Sequence, residues 1–243
     1  MDDVSAAKIL ISSLDLTSLN STDTEDTIKT LCQKAITPYG NAAAICVYPQ
    51  FLHYAKSILP KTIKIATVIN FPSGIADIRL IEKEINFAIQ FGADELDVVL
   101  PYRTFLNGDT EFCREYLLKA REACQAKTLK IIIESGELKT VEKIKQATLL
   151  CIETGADFVK TSTGKTDISA TPEAANIILE TISQSGKNVG FKASGGIKTL
   201  YDAKKYLSLS QSIMGSNWIT PKHFRIGASS VLNNLISTIT QGY

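Results

Sequence analysis

Short β-prone runs alternate with amphipathic stretches along the whole chain, and this alternation limits the folds that the chain can adopt. Eight such runs occur among the 243 residues, at positions 13–17, 43–48, 63–70, 95–100, 128–134, 158–161, 188–192 and 224–227. Strands that alternate with helices pair in parallel through right-handed crossovers. Eight strand–helix units in about 250 residues match the size of a closed barrel. We therefore predict the α/β class and a single-domain (β/α)8 TIM barrel over residues 1–243, with a short N-terminal helix and a C-terminal tail at about 240–243.

The stretches between these runs carry helix signals. One of them places its apolar residues on a single face at helical spacing and ends at Gly92; these residues are Ile78, Ile81, Ile85, Ala88 and Ile89. Another has Thr171 placed to cap, Pro172 in the first turn and Gly186 just past the end. An open doubly wound sheet is the alternative fold, but it usually carries a glycine-rich first crossover, and LDLTSLNSTD contains no glycine.

The charge balance and the cysteine and histidine content exclude several function classes. A formal net charge of +1 gives no bulk electrostatic reason to expect a nucleic acid or a membrane surface as a partner. The N-terminal stretch MDDVSAAKILISSLDL has acids where a signal peptide needs positive charge, so we expect a cytoplasmic protein. Five cysteines without a CxxC pair predict free thiols. Only two histidines, far apart, disfavour a metal site or a hydrolase triad, and we predict neither metal nor cofactor.

Four predicted strands carry a charged residue between apolar neighbours. These residues are Asp15 in SSLDLT, Asp97 in ELDVVLP, Lys160 in DFVKTS and Lys192 in VGFKAS. Side chains alternate between the two faces of a strand, so the apolar neighbours meet the helices and the charges point into the barrel. The active face of such barrels lies at the carboxyl ends of the strands.

Two inward lysines on consecutive strands suggest nucleophilic amine chemistry. Desolvation and a second nearby cation both lower a lysine pKa, so Lys160 and Lys192 can each lower that of the other. A neutral amine can attack a carbonyl and form a Schiff base, while Asp15 and Asp97 transfer protons. This combination fits class I aldolase chemistry. The structural alternative is a buried cluster of ion pairs without chemistry, which is a doubtful stabiliser compared with apolar packing.

A second lysine lies close to Lys160 in the segment GADFVKTSTGKTD, residues 155–167. Its GKT tripeptide is similar to the end of a nucleotide-binding P-loop. That motif needs a glycine five positions before the Gly164–Lys165 pair, and the residue there is Val159. The segment is therefore not a P-loop.

Glycine-containing loops follow the last three predicted strands, in TSTGKT, ASGGIKT and GASS. Backbone amides at such turns and at helix N-termini bind phosphate, and phosphate sites in these barrels often follow strands seven and eight. Lys165 and Lys198 can add positive charge, and Ser229 and Ser230 can add amides or hydroxyls. We therefore predict a phosphate site above the predicted lysine pair.

The chain resembles the deoxyribose-phosphate aldolase family of class I aldolases nearly end to end. The segments that carry the resemblance appear in order as LDLTSLN, AAICVYP, KIATVINFPSG, GADELDVVLPYR, IIESGEL, GADFVKTSTGK, VGFKASGGI and GASS. The resemblance implies reversible cleavage of 2-deoxy-D-ribose 5-phosphate to D-glyceraldehyde 3-phosphate and acetaldehyde, which belongs to deoxynucleoside and deoxyribose catabolism. It implies no metal.

The resemblance also implies roles for individual residues. Lys160 matches the Schiff-base lysine, Lys192 the lysine that perturbs its pKa, Asp97 the aspartate of the proton relay, and Asp15 an aspartate of the same network. Other matching positions lie in or beside the phosphate and substrate pocket: Thr17, Cys46, Thr163, Gly164, Lys165, Gly195, Gly196, Lys198, Gly227, Ser229 and Ser230.

Lys198 and Tyr243 differ from the other matching positions. Lys198 stands where the family often has arginine, and lysine lacks the planar fork that suits phosphate. Tyr243 is a further candidate, because a C-terminal tyrosine reaches the active site in some family members; the alternative is a terminus without a role.

Two other functions stay open on the sequence alone. One is a related Schiff-base enzyme, such as a transaldolase or a longer-chain aldolase. The other is a non-catalytic barrel that binds a phosphosugar. The predicted partners are a small sugar phosphate and an aldehyde, and we predict a homodimer.

Overall fold

The computed structural model describes residues 1–242, so the candidate Tyr243 lies outside the described residues. Within that range, eight parallel strands close into a barrel, and each strand pairs with its neighbours in the order β1-β10-β9-β8-β7-β6-β5-β4 and back to β1. The barrel strands are β1 Leu14–Thr17, β4 Ala44–Val47, β5 Lys64–Ile69, β6 Glu95–Val99, β7 Thr128–Ile132, β8 Phe158–Lys160, β9 Gly190–Ser194 and β10 Phe224–Ala228. The predicted (β/α)8 TIM barrel is confirmed.

Helices surround the barrel and connect its strands. They are α1 Asp3–Ser12, α2 Glu25–Lys34, α3 Leu52–Ile58, α4 Ile78–Gln90, α5 Tyr102–Leu106, α6 Thr110–Cys124, α7 Ser135–Leu138, α8 Val141–Glu153, α9 Pro172–Ser185, α10 Leu200–Met214 and α11 Val231–Gln241. The predicted N-terminal helix is α1, whose first turn is capped by the side chain of Asp2. Among residues 1–242, every helix is too short or too polar to span a bilayer.

Three details differ from the sequence prediction. A short antiparallel hairpin, β2 Ile36–Thr37 and β3 Gly40–Asn41, was not predicted, since two-residue strands carry no periodic signal. The strand predicted over 188–192 begins and ends two residues later. Helix α11 extends to Gln241 and so includes two residues of the expected tail.

The helix ends follow from local capping. Asp77 accepts hydrogen bonds from the backbone N–H groups of Arg79 and Leu80 at the start of α4. Thr171 caps α9, and Gly186 ends it in the left-handed conformation with φ of 64°. These helices bury their apolar faces against the strands, while both faces of each strand are covered. The strands are therefore buried along almost their whole length.

Candidate active site

The four charged residues predicted to point inward meet at one point inside the barrel. Lys160 and Lys192 face each other in the register of β8 and β9. Each donates a hydrogen bond to Oδ2 of Asp97, on β6, at 2.7 Å. Lys192 also donates to Asp15, on β1. All four side chains are buried, so the strand alternation placed them on the correct face.

Three further charged side chains extend this cluster and were missed on the sequence. Lys130, on β7, contacts Asp97 Oδ1 at 2.8 Å and Glu95 at 2.6 Å. Arg225, on β10, donates to Asp15 and to both oxygens of Glu95. The signal was present, because Leu129 and Ile131 flank Lys130 as Phe224 and Ile226 flank Arg225.

We call these seven side chains the charge network: Asp15, Glu95, Asp97, Lys130, Lys160, Lys192 and Arg225. Among residues 1–242 it joins four cations to three carboxylates, all of them buried. Ionised groups at such burial need partners, and each member has at least one. The network lies where this type of barrel ordinarily packs branched apolar side chains.

The network shifts the pKa values of Lys160 and Lys192 in opposite directions. Burial lowers the pKa of Lys160 below its ordinary value, and the cation of Lys192 adds to this against the opposing pull of Asp97. Burial also acts against the ammonium of Lys192, but the carboxylates of Asp15 and Asp97 outweigh it and raise the pKa of Lys192. The two lysines therefore do not depress each other symmetrically. Lys160 is the amine that deprotonates more readily.

The shared carboxylate stays ionised. Burial alone would raise the pKa of Asp97, but the ammonium groups of Lys130, Lys160 and Lys192 hold it well below the ordinary value. Asp97 loses one of these three cations when Lys160 deprotonates, and the contacts from Lys130 and Lys192 remain. The carboxylate is thus kept in place through a change of charge on Lys160.

A cavity of about 250 Å³ opens above the network at the carboxyl ends of β8, β9, β10 and β1. Of the seven network residues, all within the described chain, Lys160 alone lines it. The other predicted residues that line it are Thr17, Thr163, Gly164, Lys165, Gly195, Gly196, Lys198, Gly227, Ser229 and Ser230. The structure therefore brings these sequence candidates together around the amine of Lys160.

Cys46 is placed differently. It lies on β4, is fully buried, and is not among the described residues that line the cavity. Burial, with a contribution from Asp97, raises the pKa of its thiol to about 11. The thiol therefore faces the charge network as a neutral group at neutral pH. All five cysteines fall within the described residues and are buried free thiols, as predicted.

The rim of the cavity offers groups that suit an anion. Ser230 precedes α11, an eleven-residue helix whose first turn has no side-chain cap among the described residues. By contrast, Thr199 and Asp202 form a capping box on α10, and Thr171 caps α9. An uncapped helix start leaves N–H groups and the positive end of the helix dipole for a ligand.

Two lysines flank the same rim. Lys165 lies in the loop after β8, and its ammonium donates to the backbone carbonyl of Leu19 at 2.7 Å. Lys198 lies after β9 with an exposed side chain, while its backbone N–H is held by Asp202. Gly196, in the same loop as Lys198, has a φ of 77°, and a Cβ there would meet nothing within 4 Å. The rim therefore combines positive charge with open backbone.

Gly227 has a packing role that the sequence did not indicate. A Cβ at this position would come within 2.9 Å of the Ser194 Cβ and 3.0 Å of the Lys192 Cε. Its φ is not in the left-handed region, so the requirement for glycine comes from this close approach. The missing side chain leaves room for the stem of Lys192 on its way to Asp15 and Asp97.

Glu134 holds the loop that carries Lys165 and was also missed on the sequence. It follows β7 in the left-handed conformation, with φ of 52°, and is fully buried. Its carboxylate accepts hydrogen bonds from the N–H and the hydroxyl of Thr163 and from the hydroxyl of Thr166. Thr163 in turn accepts from the N–H of Lys165. Burial raises the pKa of Glu134, against the lowering effect of the bonds from Thr163.

Close backbone packing reinforces the hold on this loop. A Cβ on Gly136 would lie 2.0 Å from the carbonyl oxygen of Ile168. Only glycine allows the chain after β7 and the chain after β8 to approach so closely. The ESGEL segment thus holds the β8 loop through a carboxylate and a glycine two residues apart.

A buried, readily deprotonated lysine beneath a polar cavity, at the carboxyl ends of the strands of a (β/α)8 barrel, is typical of enzymes that use an amine nucleophile. Comparison with known proteins agrees with this class. The family model described as DeoC/LacD family aldolase matches residues 9–234. The chain belongs to this aldolase family.

Individual relatives cover nearly the whole chain. A deoxyribose-phosphate aldolase of Agrobacterium fabrum (strain C58 / ATCC 33970) is 48% identical over 240 residues, which are 98% of this chain and 93% of that protein. Among solved structures, the aldolase QR15 has a TM-score of 0.82 at 29% identity and covers 96% of this chain and 97% of its own. The deoxyribose phosphate aldolase of Aeropyrum pernix, described as tetrameric, has a TM-score of 0.78 at 23% identity over 100% and 98% of the two chains, a likeness of fold.

Proposed function

We propose that the chain is a class I aldolase that reversibly cleaves 2-deoxy-D-ribose 5-phosphate to D-glyceraldehyde 3-phosphate and acetaldehyde through a Schiff base on Lys160. The observation that carries the proposal is that Lys160, the network lysine with the lowered pKa, is also the network residue that lines the cavity. The activity of the 48% identical Agrobacterium relative supports the choice of substrate.

The reaction begins at the aldehyde carbon of the open-chain sugar. The neutral amine of Lys160 attacks it, forms a carbinolamine, and loses water to give a protonated imine. A base takes the proton of the C3 hydroxyl, the C2–C3 bond breaks, and its electron pair moves into the imine. D-glyceraldehyde 3-phosphate leaves, and an enamine of two carbons remains on Lys160. Protonation of its terminal carbon and addition of water then release acetaldehyde and the free amine.

The neighbours of Lys160 supply what these steps need. Lys192, with its raised pKa, remains an ammonium that favours the neutral form of Lys160 and can donate a proton over a short path through Oδ2 of Asp97. Asp97 carries negative charge beside the cationic imine and stabilises it. Asp15 holds Lys192 in place from β1.

The phosphate end of the substrate is assigned to the cavity rim. Lys165 leaves the Leu19 carbonyl for the phosphate, Lys198 adds a second cation, and the start of α11 with Ser229 and Ser230 supplies N–H and hydroxyl donors. Lys160 then holds the aldehyde end, five residues from Lys165 in the chain. One strand and its loop contact both ends of a single small substrate.

Reductive trapping tests the proposal directly. Borohydride added with acetaldehyde is expected to leave an ethyl group on Lys160, found by peptide mass spectrometry, and the Lys160→Met variant is expected to take none there. A folded wild-type protein that gains no label at Lys160 would exclude the mechanism and leave the non-catalytic barrel. Label from longer ketones, with no turnover of the deoxyribose phosphate, would instead indicate a transaldolase-type enzyme.

Assembly and location stay predictions. A homodimer is supported by the exposed rings of Phe87, on α4, and Phe91, just after it, whose centroids lie 4.3 Å apart. Light scattering after gel filtration measures the mass, and a monomer at micromolar concentration would contradict it. A cytoplasmic location is consistent with the small phosphorylated substrate.

A further inference from the structure

The lower half of the charge network has no part in the mechanism above. Glu95, Lys130 and Arg225 are not among the described residues that line the cavity, and all three are buried. Yet Lys130 touches the carboxylate that Lys160 depends on. It occupies Oδ1 of Asp97 at 2.8 Å, while Lys160 and Lys192 share Oδ2.

The charges of the network do not balance when every group is ionised. Within residues 1–242, four cations face three carboxylates there, which leaves an excess of one positive charge among buried side chains. Loss of one proton from a lysine makes the network neutral overall. Without Lys130, three cations would face three carboxylates, so the network would be neutral while Lys160 is still protonated. Asp97 would then interact with only two ammonium groups, those of Lys160 and Lys192. A buried, balanced set of ions resists deprotonation.

We propose that Lys130 is a positioning residue for the lysine chemistry: by occupying Asp97 Oδ1 and supplying the excess cation, it makes Lys160 the group from which the network loses a proton. The inference rests on the proposed function, since it concerns the same amine. Glu95 is assigned the opposite effect on the deprotonation of Lys160. Its Oε2 lies 2.6 Å from the Nζ of Lys130 and offsets that positive charge.

The other groups around Lys160 do not replace this effect. Asp97 faces it from β6, Lys192 from β9 and Cys46 from β4. The thiol of Cys46 is neutral at neutral pH, as its raised pKa requires. Glu134, after β7, also acts on Lys160 electrostatically but is held by Thr163 and Thr166. Changes at Lys130 and Glu95 therefore alter the charge of the network and keep every side chain that faces Lys160.

Three variants test the charge count through the pH at which acetaldehyde and borohydride label Lys160 to half of the maximum. Lys130→Met leaves three cations and three carboxylates, and the half-labelling pH is expected to rise by about one unit or more. Lys130→Met combined with Glu95→Gln restores one excess cation and is expected to return it toward the wild-type value. Glu95→Gln alone, which keeps the shape of the side chain, is expected to lower it.

The acid limb of the pH profile of kcat/KM should move with the half-labelling pH. Lys56→Met is the matched control, because Lys56 pairs with Asp94 at 3.3 Å outside the barrel. Suppose that the wild type is labelled but the half-labelling pH of folded Lys130→Met is unshifted, or that the double variant does not return it toward the wild-type value. Either result would overturn this inference and leave the proposed function standing. If the Lys130 variants do not fold, an unchanged midpoint in Glu95→Gln overturns it. Absence of label in the wild type would overturn the proposed function instead.

Discussion

Lys160 and Lys192 share one carboxylate oxygen, each donating to Oδ2 of Asp97 at 2.7 Å from adjacent strands. The arrangement keeps two ammonium groups close enough to repel each other while a single anion holds both. Their roles differ because Lys192 has a second carboxylate, Asp15, and Lys160 opens into the cavity. The partner that lacks the second carboxylate is the one whose pKa falls.

Replacement of Lys192 with Met should move the acid limb of activity to higher pH. The lowered pKa of Lys160 depends in part on the cation of Lys192, so removal of that cation raises it. Below the new pKa the amine is protonated and inactive. We expect a shift of about one unit or more, and a loss of kcat of about a hundredfold or more at neutral pH as the proton donor is lost. An unchanged profile of kcat/KM against pH would show that the two lysines are not coupled.

Replacement of Lys165 with Met should weaken phosphate binding and leave the carbonyl chemistry intact. Loss of one charge-assisted contact is expected to raise KM for the phosphorylated sugar about tenfold to a hundredfold. The matched measurement is cleavage of 2-deoxyribose, which lacks the phosphate and should react equally with both proteins. An equal loss on both sugars would contradict the assignment of Lys165.

Glu134→Gln should loosen the β8 loop. The amide keeps one acceptor oxygen, but its NH2 group cannot accept, so the hydroxyls must reorient and the bonds from Thr163 and Thr166 go to a neutral amide in place of a carboxyl group. Thr163 then holds the N–H of Lys165 less well, and KM for the phosphorylated sugar is expected to rise several-fold. Glu137→Gln, in the short helix α7 that directly follows Glu134, is the control for the substitution itself. If both variants keep the wild-type KM, Glu134 does not position this loop.

Gly227→Ala should reduce kcat by displacing Lys192. The added methyl group would lie 3.0 Å from the Lys192 Cε and 2.9 Å from the Ser194 Cβ, so one of them must move. The contact distances require a shift of a few tenths of an ångström, and because about 1 Å at a reacting group costs roughly a hundredfold in rate, we expect a loss of kcat of about several-fold. Gly186→Ala is the comparison, because its left-handed φ of 64° lies at a helix end with open space around it. That variant should lose about 1–2 kcal/mol of unfolding free energy and keep its kcat.

The sequence predicted most of the barrel, because each strand is a short apolar run between helices with clear caps such as Thr171 and Gly186. It also predicted four of the network charges, Asp15, Asp97, Lys160 and Lys192. The apolar neighbours of each take the face toward the helices, so the charge must point into the barrel. The same rule covers Lys130 and Arg225, which stand between apolar neighbours as Asp97 does, so the pattern contained a signal for both. Glu95 is the first residue of β6, and a charge at the start of a strand ordinarily reaches water at the bottom of a barrel, so it did not stand out.

Other parts of the site could not be read from the sequence at all. Glu134 acts through a left-handed backbone turn and through partners in a different loop, and neither leaves a pattern in the letters ESGEL. Gly227 was predicted as part of the phosphate loop and lines the cavity, but the sequence did not indicate that a Cβ there would collide with Ser194 and Lys192. Such relations depend on the register between β9 and β10, which only the closed barrel defines.

The ionic filling of this barrel limits how the enzyme can be made more heat-resistant. Apolar side chains of similar volume often stabilise an interior better than buried ion pairs do. Here, replacing the ion pairs with apolar side chains would remove the groups that set the charge of Lys160. On the proposed mechanism, the more stable barrel would be inactive. Gains in melting temperature without loss of turnover are therefore to be sought on the outer helices, where exposed residues such as Leu118 and Val141 have no contact with the network.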